Sequence, residues 1–116
     1  MRRGDIHLVD FEPALGAEVD KERPAVIVSN DVGNAVADRL GRGVVTVVPL
    51  TSNIGRVLPF QVLLAASRTG LRKDTNAQAE QIRSVAVERV GERIGLVPYA
   101  LLSKLEEAIR IHLDLG

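Results

Sequence analysis

Two polar patterns in this 116-residue sequence could handle a phosphodiester. Arg23 stands immediately before Pro24, which biases its backbone to an extended conformation. A proline is tolerated where a strand begins, so Arg23 gains a fixed direction at a strand start. Its planar guanidinium can hold two phosphate oxygens at once. Thr51 and Ser52 fall where another apolar strand runs out. Either hydroxyl could donate to a phosphate oxygen or relay a proton, although by pleat the two face opposite ways. Gln81 and Arg83 share one face of a further expected strand, where Gln81 could read a base edge and Arg83 could take a phosphate. Each group also has a plainer reading. Arg23 could pair with Glu18 or Glu22, Thr51 could bond its own turn, and Gln81 and Arg83 could join a structural network with Glu80 or Glu18. Phe11 is the aromatic best placed to stack a base, with Phe60 assigned to the core. Asn30, Asn53, Arg56, Arg68, Arg72 and Lys73 sit in or beside loops, within reach of bases or phosphates, and loop cations of this kind often form only a solvated rim.

The elements that must position these residues are mostly short strands. Asp5–Asp10 alternates, with Ile6 and Leu8 on one face. A long loop from Phe11 to Glu22 follows, and loops of that length in small domains are often functional. Pro24–Ser29 is apolar on both faces, as expected of a strand buried on both. Asn30–Leu40 suits a short helix or turn, capped by Asn30 or Asp31 and stopped by Gly41. Val44–Val48 is β-branched throughout, which favours an extended chain. Phe60–Leu64 and Ala79–Val85 complete a set of five strands, separated by polar loops at 51–59 and 67–76. From Pro98 the period changes. Leu101, Leu102, Leu105, Ala108, Ile109 and Leu113 line one face of an amphipathic helix, with Pro98 suited to its first turn. That helix would close one end of the sheet, and its wide apolar arc could also touch a second subunit. His112 falls in the middle of that arc, as a packed or dimer-facing histidine. Strands followed by one helix predict a small, strongly bent antiparallel barrel.

Composition sets the bounds. The length allows one compact domain over residues 1–116, and 46% apolar residues supply a core without staples. With no cysteines, disulfides and thiolate metal sites are excluded. Two histidines with scattered acids do not make a metal site, so neither metal nor cofactor is expected. The start of the chain lacks the apolar run of a secretory leader, and no stretch approaches the roughly 18 apolar residues of a membrane span. A cytoplasmic protein with no membrane partner is the expectation. Fifteen basic and fifteen acidic side chains give zero formal net charge. That argues against gripping long nucleic acid by bulk charge and leaves room for a short, local phosphate site.

Four local patterns, in order, carry a resemblance. They are Arg3-Gly4-Asp5-Ile6 leading to Gly16-Ala17-Glu18, then Glu22-Arg23-Pro24-Ala25-Val26-Ile27-Val28-Ser29-Asn30, then Val48-Pro49-Leu50-Thr51-Ser52-Asn53, and last Glu80-Gln81-Ile82-Arg83-Ser84. Over essentially the whole chain this resembles the MazF/PemK (Kid) toxin family. The resemblance implies an SH3-like antiparallel barrel of the PemK/CcdB type with a C-terminal helix, and a homodimer. It implies metal-independent, sequence-specific cleavage of single-stranded RNA, often messenger RNA, and inhibition by a cognate MazE-like antitoxin. It implies Arg23 and Thr51 as the catalytic pair. Glu18, Phe11, Asn30, Ser52, Asn53, Gln81 and Arg83 are the expected substrate-binding residues. The plasmid-type members carry a histidine in the first loop and an aspartate two residues after the position of Arg83. This chain has Ala17 and Val85 there, which favours the arginine–threonine arrangement over a histidine–aspartate one. A CcdB-like toxin that binds gyrase without cleaving anything shares the fold and is the alternative; such a binder needs neither Arg23-Pro24 nor Thr51-Ser52.

Overall fold

The computed structural model describes residues 1–11 and 22–116. Seven antiparallel strands form one sheet: β1 (Asp5–Asp10), β2 (Glu22–Ile27), β3 (Val44–Thr51), β4 (Gln61–Leu64), β5 (Thr75–Gln78), β6 (Arg83–Ala86) and β7 (Val90–Leu96). Their order is β4-β5-β3-β2-β1-β7, with β6 added beside β3. Among the described strands the sheet does not close, and β4 and β7 are its ends. Three helices accompany it: α1 (Asp31–Leu40), the single turn α2 (Ala66–Thr69) and α3 (Tyr99–Leu113). The fold is thus mainly β with a C-terminal helix, as expected, but with seven strands in place of five. No described helix is long and apolar enough to cross a membrane.

The pleat divides the core in two. Val48 and Leu50 of β3 enter one apolar cluster, and Val45 and Val47 enter the other. Val26 likewise points to the first cluster, and Ala25 and Ile27 to the second. Alternate residues of a strand face opposite sides, so β2 and β3 are buried on both faces. Leu105 and Ala108 of α3 close the first cluster, and Ala37 of α1 closes the second. Burying a side chain such as Ile27 or Leu64 contributes about 1.5–3 kcal/mol.

Two expectations are corrected by the pairing. Ala79–Val85 is not one strand. Its first three residues form a 3-10 turn, Ala79–Gln81, between β5 and β6. The turn lets the chain leave one part of a β3 edge and rejoin it further along: Leu50 pairs with Ala77, whereas Val47 pairs with Arg83. Gln81 and Arg83 therefore do not share a strand face. The region expected as a polar loop up to Asn76 already contains the start of β5. Its Thr75 and Asn76 are buried, the Asn76 amide donating to Gln61 Oε1 at 2.9 Å.

Local signals explain the helix ends. The Asn30 side chain caps α1 by accepting from the Gly33 N–H at 2.8 Å. Gly41 stops it at φ 65°, a left-handed conformation that costs glycine little. Pro98 is the N-cap of α3 and not part of its first turn. At the far end of α3, His112 is exposed, its ring tilted against that of Phe60 6.5 Å away, so it is not packed in the core. Phe60 itself is only half-buried.

Candidate functional site

β2 and β3 run side by side from Ile27 and Val47 to Ala25 and Pro49, where their pairing ends. Two more residues of the same register would set Arg23 opposite Thr51. The strands part there instead, and both residues line one groove of about 990 Å³ together with Pro24, Leu50 and Ser52. Proline explains part of the separation, since Pro24 has no N–H to give to a ladder. Leu8 of β1, Ile94 of β7 and Leu71 add apolar wall. Ser52 joins Thr51 in the groove because the strand, and with it the pleat, ends at Thr51.

Thr51 does bond its own turn, but as an acceptor. The Asn53 N–H donates to Thr51 Oγ1 at 3.2 Å. A hydroxyl has one proton and two lone pairs, so this contact orients the oxygen and leaves its proton available to a ligand. Asn53 Oδ1 in turn accepts from the Gly55 N–H at 3.3 Å, which fixes the turn that follows. Arg23 is exposed, and among the described residues its guanidinium has no ion-pair partner.

The groove is electropositive although the chain is neutral. Among the described residues Arg23, Arg72, Lys73 and Arg93 line it, against one acid, Glu92. Arg93 is partly committed, its Nε lying 3.2 Å from the buried Asp5 carboxylate. Cations gathered in a cleft raise the local concentration of a polyanion irrespective of net charge. Sequence reasoning missed Glu92, Arg93 and Ile94, because the two glycines of Val90–Leu96 hide its strand character. The available signal was Val90, Ile94 and Leu96, whose even spacing puts them on one face of a strand.

The remaining expected site residues are dispersed. Phe11 is half-buried against the second core cluster, with the Arg83 guanidinium 5.3 Å from its ring centroid. Asn30 caps α1. Gln81 ends the 3-10 turn and is exposed. None of these four lines the groove. Glu18 lies outside the described residues. Glu80 is held by Gln61, whose Nε2 donates to Glu80 Oε2 at 2.7 Å. Neither histidine lines the groove: His7 is buried, its Nδ1 2.9 Å from the Gly91 carbonyl. Among the described residues no three or more His, Cys, Asp or Glu side chains converge. The groove therefore offers cations and hydroxyls to its ligand. That chemistry suits a phosphodiester whose transition state gathers negative charge.

Comparison with known proteins agrees with this geometry. Residues 2–113 match the family described as PemK-like, MazF-like toxin of type II toxin-antitoxin system. Endoribonuclease MazF9 of Mycobacterium tuberculosis is 62% identical over 115 residues, 99% of this chain and 98% of that protein. The solved M. tuberculosis toxin MazF-mt6 superimposes with a TM-score of 0.74 at 26% identity, covering 97% of this chain and 98% of that one. A MazE-MazF structure from Deinococcus radiodurans gives a TM-score of 0.79 over 100% of this chain and 97% of that one; at 24% identity it speaks for the fold. With the match running nearly end to end, the chain belongs to the PemK-like, MazF-like toxins of type II toxin-antitoxin systems.

Proposed function

We propose that this chain is the endoribonuclease toxin of such a pair, a single domain over residues 1–116 that acts in the cytoplasm. It cleaves single-stranded RNA, messenger RNA foremost, at a short sequence and without a metal. The observation that carries this reading is the placement of Arg23 and Thr51 at the parting of β2 and β3, in one cationic groove.

In the reaction the substrate's own 2′-oxygen attacks the adjacent phosphorus and loses its proton. The bond from phosphorus to the 5′-oxygen breaks, and that oxygen takes up a proton. The products are a 2′,3′-cyclic phosphate and a free 5′-hydroxyl. Arg23 stabilises the charge of the crowded phosphorane through two parallel N–H donors. Its role is electrostatic and donating, since a guanidinium does not give up its proton to act as a base. The Thr51 proton, left available by the contact from Asn53, donates to a non-bridging oxygen or relays toward the leaving group. Ser52 and Asn53 stand beside the scissile position. Glu18, Phe11, Asn30, Gln81 and Arg83 are assigned to RNA binding, the four described ones outside the groove itself. The partners are single-stranded RNA, a cognate MazE-like antitoxin and a second copy of this chain.

The test is cleavage of long mixed single-stranded RNA in the presence of EDTA, with the new ends characterised. A 2′,3′-cyclic phosphate is expected. Dependence on an added divalent metal, or a 5′-phosphate product, would overturn the reading.

A further inference from the structure

The groove has a second basic wall that is built, not loose. It follows α2, whose C-terminal Gly70 turns the chain at φ 85°. The buried Thr69 hydroxyl donates to the Ala65 carbonyl at 3.3 Å and accepts from the Leu71 N–H at 3.2 Å. Leu71 packs on the first core cluster. Asp74 reaches back to the start of α2, its Oδ1 accepting from the Ala66 N–H at 2.8 Å. β7 clamps the same segment from another side. A Cβ on Gly95 would stand 2.6 Å from the Thr69 carbonyl oxygen, so only glycine permits this approach.

Between these anchors stand Arg72 and Lys73. Both are exposed, both line the groove, and among the described residues neither has an ion-pair partner. The nearest acid in sequence, Asp74, is occupied by the backbone. Thr75, next along the same wall, is 6% exposed, and among the described residues its hydroxyl has no hydrogen-bond partner. The backbone that carries these two cations is pinned at both ends, so it loses little freedom when an anion arrives. A buried hydroxyl without a partner marks the same wall as polar and unsatisfied.

We propose that Arg72 and Lys73 form a second anion subsite, which holds a backbone phosphate flanking the scissile one. The inference rests on the RNA-cleaving function proposed above and adds to it a division of labour. Arg23 and Thr51 act on the reacting phosphorus, whereas Arg72 and Lys73 supply affinity that is equal in ground and transition states. Such uniform binding appears in KM and not in kcat.

The experiment measures binding of a short 2′-O-methyl RNA pool, which lacks the attacking hydroxyl, by fluorescence anisotropy over a range of KCl. Arg72→Ala/Lys73→Ala is expected to raise Kd about tenfold. It is also expected to flatten the slope of log Kd against log[KCl] by about 0.7, the contribution of one neutralised phosphate on a single strand. Arg72→Lys/Lys73→Arg, which keeps both charges, is expected to keep the wild-type slope. On cleavable RNA the double alanine variant is expected to show the same rise in KM with kcat within about twofold. An unchanged Kd and slope overturn the subsite, as does a loss of kcat matching that of an Arg23 variant. A loss of affinity confined to acidic peptides from an antitoxin assigns the wall to the protein partner and likewise overturns it. Wild-type protein that binds the RNA pool but cuts no RNA refutes the proposed activity, while the slopes still decide the subsite.

Discussion

The two ends of the β2–β3 pair are built on opposite terms. At the end near α1, polar groups are consumed. Asn34 is fully buried, its Nδ2 donating to the Ser29 carbonyl at 2.9 Å and its Oδ1 accepting from the Ser29 hydroxyl. That hydroxyl also accepts from the Thr46 N–H at 3.0 Å. Arg3 is spent as well, with Nε on the Val28 carbonyl at 2.9 Å and Nη2 on Glu106 at 2.6 Å. At the other end Arg23, Arg72 and Lys73 stand exposed without ion pairs among the described residues, and Thr51 keeps its proton. The same two strands thus carry a closed network at one end and an open donor set at the other. Buried polar groups are paired because leaving them unpaired is costly, whereas the exposed set is hydrated and open to an anionic ligand.

Substitutions at the two ends should separate accordingly. Arg23→Ala is expected to lower kcat by about 10²–10³-fold, the usual cost of one transition-state donor, with the melting temperature unchanged. Thr51→Val keeps the shape and removes the hydroxyl, and should cost about tenfold to a hundredfold. A near-normal rate for both variants in single-turnover cleavage would move the site elsewhere. At the closed end, Asn34→Ala strands the Ser29 hydroxyl and carbonyl. It should destabilise the fold by about 1–3 kcal/mol in urea unfolding while kcat holds. Lost cleavage without lost stability would break the comparison.

The smallest expected effect concerns Asp31, in the first turn of α1. The Arg3 backbone N–H, 2.6 Å from its Oδ1, holds this carboxyl below the usual carboxylate range; burial opposes the shift, and the Asn34 side chain assists it. Because the folded value is depressed, its contribution is present above the ordinary carboxylate pKa and fades as pH falls through the lowered one. The stability difference between the wild type and Asp31→Asn should therefore shrink on acidification. A difference that grows with acid would reverse the sign.

Much of this was legible in the sequence where one physical cause dominates. Alternation showed β1, β-branching showed β3, the 3.6-residue period showed α3, and Asn30 with Gly41 bracketed α1. The pre-proline position of Arg23 and the strand-end position of Thr51 were equally readable. What could not be read depends on partners distant in sequence. Thr75 and Asn76 look like loop residues until Gln61 is seen beside Asn76. Gly91 and Gly95 weaken β7 on propensity, yet both are closely approached: a Cβ on Gly95 would collide with the Thr69 carbonyl oxygen, and one on Gly91 would lie 3.1 Å from that of Leu8. The run Ala79–Val85 holds no glycine or proline to mark a break. Only the need to step along the β3 edge breaks it.

The groove draws its walls from residues as far apart as Leu8 and Ile94. A ribosome making this chain must therefore deliver nearly all of it before the groove exists. A polypeptide stalled after Thr51 carries both residues assigned to the chemistry, but it lacks the wall of Arg72 and Lys73 and the strands β5 and β6 that flank β3. The groove is thus complete only once the chain has been made through Ile94.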